Sequence, residues 1–223
     1  MNAPLFAHRT LPSEEGVAAS ERPADSFAPV VNFPPELLLR AQGVKVAFFD
    51  VDGVLTDGGV YFSEYPEGHE HADRLGGFRS AGEVSKRFNT LDGHGLKLLQ
   101  KAGITPVIIT GRDSPVLRAR LQALGITRAY FGTEDKRPAA ELALQALGLD
   151  WSAAAAMGDD WPDLPVMRRA TLSCAPANAH PEVRVRAHHV TQAFGGHGAA
   201  REFCDLLLVA SGRYALLLRE YTE

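Results

Sequence analysis

The sequence predicts an α/β fold, a Rossmann-like three-layer sandwich in which helices cover both faces of a central parallel sheet. From residue 44 onward, short apolar runs of strand length alternate with segments of helical spacing. Runs such as K-V-A-F-F (45–49) and T-P-V-I-I-T (105–110) are almost continuously apolar, which is typical of parallel strands buried on both faces. In such sheets, ligands bind beyond the carboxyl ends of the strands.

The predicted elements follow one another in regular order. The first strand ends at Phe49, and a helix over 91–102 leads to the second strand at 105–110. Ser114 is a candidate N-cap, and Gly125 and Gly148 are candidate helix stops. Further helices are predicted over 114–124, 136–147, 164–169 and 199–208, and further strands over 128–131, 153–157, 171–174 and 189–191.

The chain divides into an extension and one domain. Residues 1–40 are predicted to be a disordered N-terminal extension, because they are rich in Pro, Ala, Ser and Glu and lack apolar periodicity until a short helix from Glu36 to Ala41. Residues 41–223 form the predicted domain. A net charge of -4 without a basic run disfavours nucleic-acid binding. Two distant cysteines, Cys174 and Cys204, indicate reduced thiols and a cytoplasmic protein.

The segment from about 58 to 89 interrupts the alternation. G-V-Y-F-S (59–63) and S-K-R-F-N (85–89) are predicted as the two arms of a β-hairpin. The loop between them is long and polar, which is typical of a flap over a functional site.

The first chemistry-bearing motif is D-V-D-G at residues 50–53. Asp50 and Asp52 are two positions apart after a buried strand, so their side chains can point to the same side. Two carboxylates this close repel each other unless a cation lies between them or one is protonated, and Mg²⁺ prefers oxygen ligands. A simple turn or a calcium loop is the alternative, but an EF-hand would require flanking helices.

Two further motifs follow other predicted strands. T-G-R places the hydroxyl of Thr110 at a strand end, Gly111 where a phosphate can approach the backbone, and Arg112 where it can bind a phosphate or carboxylate. Lys136 begins a helix and would neutralise a phosphoryl group if the strand ends gather around it. Taken alone, T-G-R is often only a turn, and a single lysine is usually a solvated charge.

The fourth motif is G-D-D-W-P-D at residues 158–163, after the Ala-rich strand. Asp159 is the candidate third metal ligand. Asp160 and Asp163 are predicted to lie behind the ligands and to hold Lys136 or metal-bound waters. The alternative is an acidic helix N-terminus, where carboxylates interact favourably with the helix dipole.

In their order and residue types, the four motifs resemble those of the haloacid dehalogenase-like phosphatases. The resemblance implies that Asp50 is the nucleophile that forms an aspartyl-phosphate, and that Asp52 protonates the leaving oxygen and then activates water. It implies that Thr110 and Lys136 bind the phosphoryl oxygens. It also implies that Asp50, the backbone carbonyl of Asp52, and Asp159 hold Mg²⁺.

A closer resemblance extends from about Val44 to Ser211 and is to the 3-deoxy-D-manno-octulosonate 8-phosphate (Kdo 8-phosphate) phosphatases. The strings that carry it are F-N-T-L-D-G-H-G-L-K-L-L-Q-K-A-G-I (88–104), M-G-D-D-W-P-D-L-P-V-M (157–167), A-N-A-H-P (177–181) and H-V-T-Q-A-F-G-G-H-G-A-A-R-E-F-C-D-L-L-L (189–208). The resemblance implies a Mg²⁺-dependent cytoplasmic enzyme of lipopolysaccharide biosynthesis that lacks a separate cap domain. It further implies a homotetramer in which a neighbour's C-terminal tail closes the site.

The same resemblance implies that Lys86, Asn89 and Asp92 contact the hydroxyls or carboxylate of the sugar. Leu91 departs from the pattern, since many members carry an arginine there, and residues 65–84 resemble an insertion into the hairpin. His197, in a Gly-rich turn, meets substrate if the tail folds over a site and is otherwise a turn residue. A nonulosonate 9-phosphate phosphatase and a non-catalytic assembly relative remain the alternative functions.

Overall fold

The computed structural model describes residues 29–64, 73–75 and 78–223. Its main feature is a six-stranded sheet of order β6-β5-β1-β7-β8-β9 in which all neighbouring strands are parallel. The predicted α/β fold is confirmed. The strands of this sheet are β1 (Val46–Phe49), β5 (Thr105–Ile109), β6 (Ala129–Tyr130), β7 (Ala154–Met157), β8 (Leu172–Ala175) and β9 (His189–Val190).

The helices lie close to their predicted bounds. They are α1 (Pro35–Ala41), α2 (Thr90–Lys101), α3 (Pro115–Leu124), α4 (Lys136–Leu147), α5 (Leu164–Met167), α6 (Pro181–Arg184), α7 (Ala199–Ala210) and α8 (Tyr214–Arg219). Ser114 caps α3, because its Oγ accepts a hydrogen bond from the N–H of Leu117. Gly125 and Gly148 adopt the left-handed conformation that ends α3 and α4. Helices α6 and α8 were not predicted, because four and six residues give little periodic signal.

Strand β1 lies in the middle of the sheet and contributes to both hydrophobic cores. Val46 and Phe48 face the core beneath α4 and α5, whereas Ala47 and Phe49 face the core beneath α2, α3 and α7. Because successive side chains of a strand point to opposite faces, both faces must be apolar. This arrangement explains the continuous apolar run in the sequence.

The N-terminal part of the described chain packs on the domain. Phe33 and Leu37 are buried in the core beneath α7, so residues 33–40 belong structurally to the domain and not to the predicted extension. The boundary predicted at residue 40 was therefore too late, because an isolated seven-residue helix gives no sign of the surface it will cover. Residues 1–28 of the predicted extension lie outside the described residues.

The segment between β1 and α2 contains a small antiparallel sheet of order β2-β4-β3, with β2 (Tyr61–Glu64), β3 (Asp73–Leu75) and β4 (Phe78–Ser85). The first predicted arm of the flap is confirmed. The second was placed wrongly, because β4 ends at Ser85 and residues 86–89 lead into α2. Of the predicted insertion, β3 and most of β4 are described, and residues 65–72 and 76–77 lie outside the described residues. The described part of this segment contains no separate cap domain.

The structure also bears on the two cysteines and on the question of membrane-spanning helices. Cys174 and Cys204 are both buried and free of any disulfide. Across the described ranges, no helix combines the length and the apolar character that a membrane span requires.

Candidate active site

The motif residues meet at one edge of the sheet. Asp50 directly follows β1, Thr110 directly follows β5, and Asp159 lies two residues after β7. These three strands are neighbours, and the N–H of Asp50 donates to the carbonyl of Met157 at 3.1 Å. Lys136 begins α4 and extends into the same region. The sequence placed these residues correctly, because parallel strands present their carboxyl ends at a common edge.

Lys136 is the buried cation of the site. Its Nζ donates to Asp50 at 2.5 Å and to Asp163 at 2.6 Å. The second oxygen of Asp163 accepts from the backbone N–H groups of Asp159 at 3.0 Å and Asp160 at 3.2 Å. Asp163 therefore holds both Lys136 and the loop that carries Asp159, as the sequence analysis predicted.

The site contains more negative charge than Lys136 can neutralise. Asp50, Asp159 and Asp163 each place a carboxylate oxygen within 4.8 Å of the others. Burial, reinforced by the charge of Asp163 and opposed by Lys136, raises the pKa of Asp50 to about 7. Burial and the charges of Asp50 and Asp163 raise the pKa of Asp159 to about 8. Such repulsion between carboxylates is relieved by a cation with oxygen ligands.

The donor set fits Mg²⁺. Asp163 is engaged through both oxygens, which leaves Asp50 and Asp159 as the carboxylates suited to ligate a cation. Mg²⁺ is bound in proteins by one or two carboxylates and completes its shell with other oxygens. The predicted contribution from the Asp52 backbone carbonyl stays a prediction.

Two glycines allow the carboxylates to approach the backbone. Gly53 has a φ of +91°, and a Cβ at this position would lie 2.1 Å from Oδ2 of Asp159. A Cβ at Gly158 would lie 2.3 Å from the Cβ of Asp163. Both positions therefore exclude any side chain, and the glycines of the first and fourth motifs are structural requirements of the carboxylate cluster.

Asp52 lies apart from the carboxylate cluster and faces the end of the flap. Its Oδ1 is paired with Nζ of Lys86, whose side chain is 0% exposed, and its Oδ2 lies 3.7 Å from Nε of Arg112. The structure thus brings Lys86 and Arg112, two predicted substrate-binding residues, to either side of the predicted acid–base residue. The side chain of Asp52 is not part of the three-carboxylate group.

The T-G-R motif forms an open turn beside Asp52. Thr110 is buried, and its Oγ1 accepts a hydrogen bond from the N–H of Arg112 at 3.2 Å. Gly111 is exposed, and apart from its neighbours in the chain no atom lies within 4 Å of the position that a Cβ would occupy. This open space at a strand end is compatible with the approach of a phosphate group.

Two residues predicted to bind the sugar, Asn89 and Asp92, have other partners. Asn89 caps α2 by accepting from the N–H of Leu91 at 2.8 Å. Asp92 is buried, and its two oxygens accept from the N–H groups of Arg201 at 2.8 Å and Gly198 at 3.2 Å. The assignment of Asp92 to substrate was therefore wrong, because its carboxylate caps the N-terminus of α7.

Asp160 was predicted to hold Lys136 or metal-bound waters. Its side chain instead accepts a hydrogen bond from the N–H of Trp161 at 2.8 Å and caps the 3₁₀ turn over Trp161–Asp163. Its role in the site is indirect, because this turn carries Asp163 toward Lys136.

The sequence analysis missed a segment that packs against the loop carrying Asp50, Asp52 and Gly53, which we call the nucleophile loop after the predicted role of Asp50. We call residues 192–198 the strap. Asn178 accepts from the N–H of Gly195 at 2.6 Å and donates to the carbonyl of Gly53 at 3.4 Å. The N–H of Gly196 donates to the carbonyl of Val54 at 3.0 Å. The paired glycines of the strap were the available signal, since tight backbone approach requires glycine.

Glu202 of α7 holds the start of the strap. Its carboxylate accepts from the N–H of Gln192 at 3.0 Å and of Ala193 at 3.3 Å, and it contacts Nε2 of His189 at 3.3 Å. Burial opposes ionisation, but these hydrogen bonds outweigh it and hold the pKa of Glu202 below its ordinary value. The ionised carboxylate therefore stabilises the folded chain.

Replacement of Glu202 by glutamine is expected to lower the free energy of unfolding at pH 7 by about 1–2 kcal/mol, because charge-assisted hydrogen bonds are lost. Since the folded pKa is the lower one, this stabilisation is complete above the ordinary value of 4.5 and is lost as the pH falls through the folded pKa. Urea unfolding of wild type and variant across acid pH measures the difference. A difference that stays constant down to the acid end would contradict this account.

The chain is similar to known proteins over most of its length. Residues 73–171 match the family model of the haloacid dehalogenase-like hydrolases. The 3-deoxy-D-manno-octulosonate 8-phosphate phosphatase KdsC of Yersinia pestis is 37% identical over 187 residues, which cover 84% of this chain and 90% of the relative.

Two solved structures are similar over most of the chain. A probable yrbi family phosphatase from Pseudomonas syringae has 44% identity and a TM-score of 0.75, with 84% of this chain and 98% of that chain covered. The Kdo 8-phosphate phosphatase from Moraxella catarrhalis, in complex with magnesium, phosphate and Kdo, has 32% identity and a TM-score of 0.73, with 83% and 98% covered.

Proposed function

The chain belongs to the 3-deoxy-D-manno-octulosonate 8-phosphate phosphatases of the haloacid dehalogenase-like hydrolases, and we propose that it releases inorganic phosphate from Kdo 8-phosphate with Asp50 as nucleophile. One observation carries the chemical assignment. Asp50 lies at the end of the central strand, is paired with the buried Lys136 and is close to Asp159. This is the arrangement of an activated carboxylate next to a cation site.

The reaction divides into two displacements at phosphorus. A carboxylate oxygen of Asp50 attacks the phosphorus, and the bond to the sugar oxygen breaks. Asp52 gives its proton to that leaving oxygen. Asp52 then takes a proton from water, which attacks the phosphorus of the aspartyl-phosphate. Inorganic phosphate leaves, and Asp50 and protonated Asp52 are restored.

The surrounding residues have separate tasks. Lys136 and the Thr110 hydroxyl bind phosphoryl oxygens, and Gly111 leaves room for them. Arg112, beside Asp52, binds the anionic sugar acid. The predicted contact of Lys86 with the sugar is secondary to its pairing with Asp52, because the Lys86 side chain is 0% exposed. The contact proposed between Asn89 and the sugar is secondary to its role as helix cap.

Mg²⁺ is the metal of this site. Asp50 and Asp159 would hold it, together with the backbone carbonyl of Asp52. When bound, it offsets negative charge at the reacting phosphoryl group. The raised pKa values of Asp50 and Asp159 support this assignment, because both carboxylates can be fully ionised at neutral pH only when their repulsion is compensated.

The biological setting is proposed from the family. The product, Kdo, is a sugar of lipopolysaccharide, and the enzyme would act in the cytoplasm. A homotetramer in which the C-terminal tail of a neighbour closes the site remains part of the proposal. Light scattering coupled to gel filtration tests the assembly, and truncation after Ser211 tests the tail through the KM for the sugar phosphate.

Phosphate release from Kdo 8-phosphate is expected to require Mg²⁺ and to stop when a chelator is added.

At a Mg²⁺ concentration of 100 times its Kd, binding is expected to stabilise the folded protein by about 2.7 kcal/mol. Thermal unfolding with and without chelator measures this effect. Asp159→Asn should remove most of the response, whereas a full response in that variant would contradict the ligand assignment.

The substrate assignment has its own test. The ratio of kcat/KM for Kdo 8-phosphate to that for a nonulosonate 9-phosphate compares the two sugar acids directly. We expect the ratio to favour the eight-carbon sugar. A clear preference for the nine-carbon sugar would overturn the assignment and leave the nucleophile chemistry intact.

A further inference from the structure

His197 of the strap connects two parts of the site through both of its ring nitrogens. Its Nδ1 lies 2.9 Å from the carbonyl oxygen of Gly195, and its Nε2 lies 2.7 Å from Nη1 of Arg87. A carbonyl oxygen only accepts hydrogen bonds, so Nδ1 carries the proton of the neutral ring. Nε2 is then an acceptor, which matches the N–H donors of the guanidinium group.

On the strap side, the connection leads to the nucleophile loop. Gly195 packs so closely on Gly53 that a Cβ would lie 1.8 Å from the Gly53 carbonyl oxygen. Gly196 donates to the carbonyl of Val54. Gly53 is the residue immediately after Asp52, so the strap fixes the backbone from which the predicted acid–base side chain extends.

On the flap side, the connection leads to Lys86. Arg87 immediately follows Lys86 at the end of the flap, and besides His197 it reaches Asp57 at 3.6 Å. Lys86 is the buried partner of Asp52. His197 therefore connects Arg87, the residue after Lys86, to the part of the strap that packs on Gly53, the residue after Asp52.

We propose that His197 is a positioning residue that holds Lys86 against one oxygen of Asp52 and thereby orients the other oxygen for proton transfer. The inference rests on the proposed function, in which Asp52 protonates the leaving oxygen. A protonated carboxyl group that is free to rotate would present its proton less often in the productive direction, and small misplacements of reacting groups are costly.

A role in proton transfer is distinguishable from a general role in folding. Phenyl phosphate and p-nitrophenyl phosphate are nearly the same size and carry no sugar. Their leaving groups differ in the need for protonation, because the nitro group makes the leaving phenolate of p-nitrophenyl phosphate much more stable. The kcat/KM of each ester reports on the step in which the ester bond breaks.

The expected result for His197→Ala is selective. Its kcat/KM for phenyl phosphate falls about tenfold, which is only a part of the rate enhancement that general acid catalysis contributes. Its kcat/KM for p-nitrophenyl phosphate falls less than twofold. Kdo 8-phosphate, whose leaving group is an alkoxide, is affected at least as much as phenyl phosphate. An equal loss for both aryl esters, or no loss for either, would overturn the inference.

Further variants test the connection from His197 through Arg87 to Lys86. Arg87→Ala should show the same selectivity, and the double variant with His197→Ala should be no worse than either single change, since both break one connection. His197→Gln can place an acceptor oxygen at the position of Nε2, so its kcat/KM for phenyl phosphate should be higher than that of His197→Ala. The asparagine side chain of His197→Asn is too short to reach Arg87, so this variant should be as impaired as His197→Ala. His94→Ala, a change of a part-buried histidine on α2, is the matched control and should leave the ratio of the two esters unchanged.

The failure of this inference and the failure of the proposed function give different results. If wild type does not release phosphate with Mg²⁺, or if Asp50→Asn is as active as wild type, the proposed function fails. If both of those results are as expected and the ester ratio in His197→Ala equals that of wild type, only the role of His197 fails.

Discussion

Replacement of Asp50 by asparagine is expected to lower kcat by about four orders of magnitude or more, a loss typical of removing the nucleophile from an enzyme. The amide cannot form the aspartyl-phosphate, and water must then attack without the covalent intermediate. Single-turnover phosphate release from Kdo 8-phosphate measures the loss. Activity within tenfold of wild type would contradict the nucleophile assignment.

The same change should leave the fold intact, which separates lost chemistry from lost structure. Asp50 is buried beside Asp159 and Asp163, and burial with this repulsion raises its pKa to about 7. Asparagine removes the charge but keeps an oxygen that can accept from Lys136. In the presence of chelator, the variant is therefore expected to unfold at the same temperature as wild type or a higher one. A markedly lower temperature would contradict the account of repulsion.

Replacement of Lys136 by methionine is expected to have the largest effect on stability. Lys136 is buried between Asp50 and Asp163, and its loss leaves two buried carboxylates without their cation. Removing one partner from a buried ion pair costs about 3–5 kcal/mol, and methionine keeps the length of the side chain but not its charge. Denaturant unfolding in the presence of chelator measures the change. Phosphate release should also be lost, because Lys136 is the residue proposed to neutralise the phosphoryl oxygens.

Two controls separate charge from packing. Lys97→Met changes an exposed lysine of α2 and should leave stability and activity unchanged. The double variant Lys136→Met with Asp163→Asn removes one of the stranded charges and should recover part of the stability without recovering activity. If Lys136→Met is as stable as wild type, the buried carboxylates are not held by Lys136 in solution.

Much of the fold follows from local sequence patterns. Continuous apolar runs predicted β1 and β5, and Ser114 and Gly125 predicted the ends of α3, because strand burial and helix capping depend on neighbouring residues. The second arm of the flap was misplaced by several residues. Its sequence is polar, and polar strands carry little alternation from which their register can be inferred.

For the site, the sequence predicted the residues that follow strands but not all of their partners. Asp50, Thr110 and Asp159 each follow a strand, and the parallel topology brings such positions together wherever they lie in the chain. Asp92 shows the limit of this reasoning. The family resemblance implied a substrate contact for Asp92, but its carboxylate caps a helix that begins more than 100 residues later.

The sequence by itself determined the parallel α/β sheet and the four motifs, because both depend on residue types at fixed short spacings. The proposal that Asp50 is the nucleophile came from the resemblance of those motifs to a known family. Only the tertiary structure decided that Asp92 and Glu202 hold the strap, that Asn178 joins it to Gly53, and that His197 joins it to Arg87. The bonds from Asn178 and His197 connect residues separated by 125 and 110 positions. The physical reason is that such contacts depend on how distant segments pack, and no local pattern of charge or hydrophobicity encodes that packing.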